Sequence, residues 1–193
     1  MKKNLTELVY ILDKSGSMQG LEKDTIGGYN AMLAQQRTVE GDCVITTVLF
    51  DNQYQLLHDR IDIRAVRPLT QREYFVGGST ALLDAIGKTI DKIHTAQKNT
   101  AEDYRAERVL FVIITDGAEN ASRRYSAMQV KKMIQQQKEQ YGWEFIFLGA
   151  NMDAVETAGQ FGIDADRAAD YVPDGEGTAL NFRMMSETVA AFR

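Results

Sequence analysis

The sequence has 193 residues, of which 44% are hydrophobic and 25% charged, so we expect a folded chain with a single domain over residues 1–193 rather than a disordered one. A net charge of −5 argues against non-specific binding to nucleic acid or to an anionic membrane, because both favour a basic surface. The lone Cys43 excludes an intramolecular disulfide. The absence of a signal-peptide pattern and of a membrane-length apolar run predicts a cytoplasmic protein.

The first half of the chain alternates short apolar runs with segments of helical periodicity. In chain order, the pattern predicts a strand at Leu8–Leu12, a helix over Leu21–Arg37, strands at Val44–Phe50 and Gln53–Leu57, and a helix over Thr80–His94. The strand at Gln53–Leu57 is short and is expected to form a hairpin with the strand before it. The longer apolar runs lack strict alternation, which is typical of strands that are buried on both faces of a parallel sheet.

The second half continues this alternation. The predicted elements are a strand at Val109–Ile114, a helix over Ser126–Tyr141, a strand at Phe145–Leu148 and helices over Ala154–Phe161 and Ala179–Phe192. Asp164–Gly177 is expected to be a long polar loop with a short edge strand near Tyr171–Val172. Strands that alternate with helices of these lengths imply βαβ crossovers, so the sequence predicts an α/β fold with a doubly wound sheet.

Oxygen-bearing side chains cluster where the predicted strands end. Asp13, Ser15 and Ser17 follow the first strand, Thr80 opens the second main helix, and Asp116 follows the strand at Val109–Ile114. Ligands of open α/β sheets bind at the carboxyl ends of the strands, so these side chains are expected to meet. All five offer oxygen, which hard divalent cations such as Mg²⁺ prefer, whereas zinc favours histidine or cysteine.

The charges of this set favour capture of an acidic group. Two carboxylates balance one divalent ion, and three hydroxyls add no charge. An ion held in this way stays electron-poor and suits an incoming carboxylate better than the activation of water. No histidine is placed by the sequence as an obvious general base.

Three motifs carry a family resemblance. DKSGSM at Asp13–Met18 resembles the D-x-S-x-S motif of von Willebrand factor type A domains, and Thr80 in GGSTAL and Asp116 in ITDG match the other two elements of that family's metal-ion-dependent adhesion site. The resemblance covers essentially the whole chain. The C-terminal half, with GWEFIFLGANMDA and the tail NFRMMSETVAAFR, resembles small stand-alone bacterial or phage members.

The resemblance implies a Rossmann-like three-layer sandwich. Its central sheet would have about six strands, mostly parallel with one short antiparallel edge strand, and helices would cover both faces. The resemblance also implies that Asp13, Ser15, Ser17, Thr80 and Asp116 hold Mg²⁺ or Mn²⁺. The expected function is non-enzymatic: an intracellular adaptor that binds an Asp or Glu of a protein partner, such as an ATPase or another member of a multi-protein assembly.

Other interpretations of the same residues stay open at this point. A hydrolase of phosphate or other esters could use the same ion as a Lewis acid, with Glu119, Asp51 or Lys14 as the candidate base. The serines could cap the helix that follows them, and Asp116 could belong to a plain turn. The chain could also be a scaffold that has lost its metal.

Overall fold

The computed structural model describes all 193 residues and contains six strands and five α-helices. The strands are β1 (Lys2–Asp13), β2 (Asp42–Phe50), β3 (Tyr54–Asp62), β4 (Ala106–Thr115), β5 (Glu144–Gly149) and β6 (Ala168–Asp170). The helices are α1 (Glu22–Gln36), α2 (Leu82–Asn99), α3 (Ala127–Tyr141), α4 (Ala154–Gln160) and α5 (Gly175–Phe192). None of the helices combines the length and hydrophobicity that crossing a bilayer requires.

All six strands form one sheet in the order β3-β2-β1-β4-β5-β6. Only β3 runs antiparallel to its neighbour, β2, and every other pair is parallel. The chain winds outward from β1 to β2 through α1 and in the opposite direction from β4 to β5 through α3. The predicted doubly wound α/β fold is therefore confirmed, and the switch in winding direction lies between β1 and β4.

The sheet separates two apolar cores because side chains alternate along each central strand. On β1, Val9 and Ile11 contribute to one core, and Leu8, Tyr10 and Leu12 contribute to the other. Helices α2, α3 and α4 cover the first core, and α1 and α5 cover the second. Burial on both faces explains why the central strands are continuous apolar runs in the sequence.

The antiparallel edge strand is longer than expected. It runs on past Leu57 to Asp62, through residues that include His58, Asp59 and Arg60 and give no apolar signal. Its pairing with β2 has register shifts on either side of Thr47, which break the two-residue alternation that sequence analysis depends on.

The polar segment before the last helix is also more structured than expected. The edge strand is expected near Tyr171–Val172, and the observed strand β6 ends one residue earlier, at Asp170. The backbone N–H of Tyr171 continues the pairing, because it donates to the Gly149 carbonyl on β5 at 3.0 Å. The two alanines of β6 carry no strand signal. Helix α5 begins at Gly175 rather than Ala179, with the Asp174 carboxylate capping the N–H of Gly177 at 2.7 Å. Glycine is a poor helix former, so the two glycines of this first turn give no helical signal in the sequence.

Candidate metal site

Asp13 is the last residue of β1 and anchors the site from the centre of the sheet. Its side chain is buried, and each carboxylate oxygen accepts a hydrogen bond from a different segment of the chain. Oδ1 accepts from the backbone N–H of Ser15 at 2.7 Å, and Oδ2 accepts from the Thr115 hydroxyl at the end of β4 at 2.6 Å. Asp13 therefore joins the ends of the two strands between which the winding direction changes.

The two serines form a relay of hydrogen bonds to the second carboxylate. The hydroxyl oxygens of Ser15 and Ser17 are 3.0 Å apart, and the Ser17 hydroxyl donates to Oδ1 of Asp116 at 2.5 Å. A serine has one hydroxyl proton, so Ser17 accepts from Ser15 when it donates to Asp116. The oxygens of both serines keep lone pairs that could face a cation.

Thr80 completes a ring of hydroxyls around one point beside the backbone of Gly117. A Cβ placed on Gly117 would lie 2.8 Å from Thr80 Oγ1, 2.9 Å from Ser17 Oγ and 3.5 Å from Ser15 Oγ. Three hydroxyl oxygens from two separate loops thus converge on a space that only a glycine leaves open. The structure brings all five predicted residues together.

Asp116 supplies an unpartnered atom to the site. The residue is 3% exposed, and its Oδ2 is buried without any hydrogen-bond partner. Burial raises the pKa of Asp116, although the hydrogen bond from Ser17 opposes the shift. Burial also raises the pKa of Asp13, against the hydrogen bonds from Ser15 and Thr115, and the neighbouring Asp116 adds to the increase. A cation would stabilise both charged forms.

This donor set fits a hard divalent ion. The structure contains no group of three or more His, Cys, Asp or Glu side chains suited to a metal, so an ion here would be held by two carboxylates and three hydroxyls. An orphaned carboxylate oxygen and a ring of hydroxyls around an open space are the features that such an ion would satisfy. Mg²⁺ and Mn²⁺ prefer oxygen ligands of this kind.

Asn120 positions Thr80 and was missed by the sequence analysis. Its side-chain oxygen accepts a hydrogen bond from the backbone N–H of Thr80 at 2.9 Å, and the backbone N–H of Asn120 donates to the Thr80 carbonyl at 3.0 Å. This pair of bonds ties the loop after β4 to the start of α2. Asn120 lies four residues after Asp116, and its only sequence signal is that proximity.

Glu119 has a structural role at the start of α2. Its carboxylate accepts the backbone N–H groups of Leu83, Ala121 and Ser122 and the Ser122 hydroxyl, at 2.6–3.0 Å. Asp84 holds the following loop by accepting backbone N–H groups of Arg123, Arg124 and Tyr125. Both acids are engaged by backbone donors, so neither is placed as a free base.

Lys14 and Asp51 form a mostly buried ion pair beside the site. Nζ of Lys14 lies 3.8 Å from Oδ2 of Asp51, and their side chains are 7% and 14% exposed. The same Nζ lies 4.4 Å from the centroid of the Phe75 ring. The loop that carries Phe75 is fixed to the site by the Tyr74 hydroxyl, which donates to the Asp13 carbonyl at 2.7 Å.

Tyr171 approaches the site from beyond β6. Its hydroxyl is buried without a hydrogen-bond partner. Burial raises the pKa of this hydroxyl well above its ordinary value, and the charges of Asp116 and Asp13 raise it further. From the sequence, Tyr171 is predicted only as part of an edge strand, because no local pattern indicates that its side chain approaches the site.

Comparison with solved structures identifies the fold as that of von Willebrand factor type A domains. The von Willebrand factor domain of the type V pilus tip protein Mfa5 from Porphyromonas gingivalis superposes with a TM-score of 0.66 at 12% identity, over 95% of this chain and 94% of that one. A von Willebrand factor type A protein from Catenulispora acidiphila gives 0.60 at 17%, over 96% and 42%. Proximal thread matrix protein 1 from the mussel byssus, with a zinc-occupied MIDAS motif, gives 0.64 at 11%, over 96% and 46%.

At these identities the likeness establishes the fold and not the activity. This chain spans less than half the length of the mussel and Catenulispora proteins. No protein-family model matches the sequence, and no curated protein matches it. The comparisons thus define the class of protein by its fold, that of von Willebrand factor type A domains. The candidate site of two carboxylates and three hydroxyls lies at the switch point of this fold's sheet.

Proposed function

We propose that the chain is a divalent-metal-dependent protein-interaction module, in which Asp13, Ser15, Ser17, Thr80 and Asp116 hold Mg²⁺ or Mn²⁺. The ion would supply an open coordination position that an Asp or Glu of a protein partner completes. The observation that carries this proposal is the buried, unpartnered Oδ2 of Asp116, next to hydroxyls that converge beside Gly117. Of the seven buried side-chain atoms without a hydrogen-bond partner, Oδ2 of Asp116 is the only carboxylate oxygen, and a bound cation would satisfy it.

The chain's own residues prepare the site in three ways. Asp13 fixes the loop through the Ser15 N–H and the Thr115 hydroxyl. Ser17 orients the Asp116 carboxylate through its hydroxyl. Preorganised oxygens lower the entropic cost of binding, because few side chains have to move.

The candidate bases of the alternative hydrolase are already engaged. Glu119 accepts four hydrogen bonds, and Lys14 is paired with Asp51. Oδ1 of Asp51 also accepts the backbone N–H of Gln53 at 2.6 Å. No observation favours ester hydrolysis, so we propose a binding role rather than catalysis.

The metal-binding step is tested by Mn²⁺ titration followed by electron paramagnetic resonance, which separates free from bound ion. We expect one bound Mn²⁺ per chain, competed away by Mg²⁺, and none in Asp116→Asn. That variant keeps the shape of the side chain but removes its charge. Asp103→Asn, an exposed carboxylate in the turn before β4, is the matched control and should bind normally.

Two results would contradict the proposal: equal Mn²⁺ binding by Asp116→Asn, or no binding by the wild type even with acetate present as a substitute for the partner carboxylate. Zinc belongs in the same titration, since the mussel protein has zinc at its MIDAS motif. The adaptor role in a larger assembly and the cytoplasmic location stay predictions.

A further inference from the structure

Phe75 is a large nonpolar side chain exposed beside the candidate metal site. Its side chain is 59% exposed, and every other phenylalanine in the chain is buried or partly buried. Exposure of an isolated nonpolar residue is common and by itself needs no explanation. The position of Phe75, however, is held from several sides.

Two hydrogen bonds fix the loop that carries this ring, and one contact is made to the ring itself. Tyr74 donates its hydroxyl to the Asp13 carbonyl, and the N–H of Gly77 donates to the Lys14 carbonyl at 2.9 Å. The Lys14 ammonium approaches the ring at 4.4 Å from the centroid, within the range of a cation–π contact. An exposed aromatic ring on an anchored loop is a low-entropy contact for a partner.

The ring lines a shallow cleft that runs up to the metal loop. The cleft has a volume of about 810 Å³ and lies between residues 16–24 and residues 71–77. Gly16, between the two serines of the site, is part of its wall. A chain that brings a carboxylate to the site from this side would therefore place its adjacent residue in the cleft.

The charges of the cleft select the kind of residue that fits. Glu22, Lys23 and Asp24, in the first turn of α1, line the cleft together with Phe75, so the cleft carries two carboxylates and one ammonium group. Because the carboxylates of the cleft outnumber its ammonium group, a second acidic residue of the partner gains no net attraction there, whereas a nonpolar side chain would cover the exposed ring.

We propose that Phe75 makes the site specific for an acidic residue flanked by a nonpolar one, aromatic or aliphatic, that packs on its ring. This inference rests on the metal-dependent capture proposed above. A contact that removes about 40–50 Å² of nonpolar surface from water corresponds to about a fivefold to tenfold gain in affinity.

The test uses a displayed library of heptapeptides with a fixed central glutamate, selected on the full chain in Mg²⁺ and released with EDTA. Among released peptides we expect enrichment of Phe, Tyr, Trp, Leu, Ile or Met within two residues of the glutamate. The strongest peptide is then titrated by fluorescence anisotropy. Phe75→Ser should lower its affinity about fivefold to tenfold. Tyr104→Ser should not, because this exposed aromatic residue lies before the start of the central strand β4, at the opposite end of the sheet from the site.

The outcomes separate the two proposals. EDTA-released peptides with random residues beside the glutamate, or equal affinity for Phe75→Ser, overturn the role of Phe75 and leave metal-dependent capture intact. A library without EDTA-released peptides, or one that selects the same peptides on Asp116→Asn, overturns metal-dependent capture and the specificity with it. Thermal melting of Phe75→Ser confirms that a lost affinity does not reflect lost folding.

Discussion

Gly117 offers a direct test of whether the ring of hydroxyls is a cation site. In Gly117→Ala, the added methyl would lie 2.8 Å from Thr80 Oγ1 and 2.9 Å from Ser17 Oγ. Real Cβ atoms do not approach other atoms this closely, so the hydroxyls must move apart. We expect the variant to lose metal binding, although every proposed ligand is still present. Overpacking of this kind also lowers the free energy of unfolding by about 1–3 kcal/mol.

The expected stabilisation by bound metal can be calculated, because a ligand that binds only the folded state raises the free energy of unfolding. At a metal concentration about ten times the dissociation constant, binding to the folded state alone stabilises the wild type by about 1.4 kcal/mol. For a chain of this size that corresponds to a rise of about 3–6 °C in the melting temperature. We expect this rise in chelator-treated wild type on addition of Mg²⁺ or Mn²⁺, and no rise in Gly117→Ala.

Gly77→Ala is the matched control for this experiment. Gly77 lies on the loop that contacts the site, but a Cβ there would meet nothing within 4 Å. Its metal-dependent rise should equal that of the wild type. A full metal-dependent rise in Gly117→Ala would refute the reasoning, because it would place the ion away from the space beside residue 117.

Two further predictions concern the stability of the fold. In Arg60→Met, the buried Glu7 carboxylate loses the guanidinium that donates to it at 2.8 Å, so urea unfolding at pH 7 should show a loss of about 3 kcal/mol. Burial already raises the pKa of Glu7 in the native state, so the contribution of Glu7 to stability is greatest below its unfolded pKa and is lost as the pH rises through its native pKa. The loss caused by Arg60→Met should therefore shrink at acidic pH, and a loss that does not shrink would contradict this. Gly28→Ala would place a Cβ 2.4 Å from the Phe182 ring and cost about 1–3 kcal/mol, whereas Gly27→Ala meets open space in the same helix and should stabilise by up to about 1 kcal/mol; equal unfolding midpoints would refute this.

The central part of the fold could be predicted from the sequence because burial on both faces leaves a local signal. Strands β1, β2, β4 and β5 are continuous apolar runs, and periodic helices separate them. The edges carry weaker signals. Strand β3 is an edge strand without a fully buried residue and has an irregular register, and β6 is three residues long with two alanines.

The five oxygen-bearing residues could be predicted to meet because topology alone brings them together. Asp13 ends β1 and Asp116 follows β4, and these parallel strands are adjacent in the sheet, so the two residues meet although about a hundred residues separate them in the sequence. Asn120, Tyr74 and Tyr171 could not be found in the same way. Each depends on a contact between loops, and neither hydrophobic periodicity nor motif spacing encodes such contacts.

The balance of charge at the site gives the strongest physical reason to expect an external cation. Neither Asp13 nor Asp116 takes part in any of the ion pairs of the structure, and both are buried. Lys14 is next to Asp13 in the sequence, but its ammonium pairs with Asp51 and the Phe75 ring instead. Buried carboxylates without a counter-charge are costly in their ionised form. The hydroxyls that surround them are neutral, so the proposed divalent ion would supply the positive charge that the two carboxylates lack.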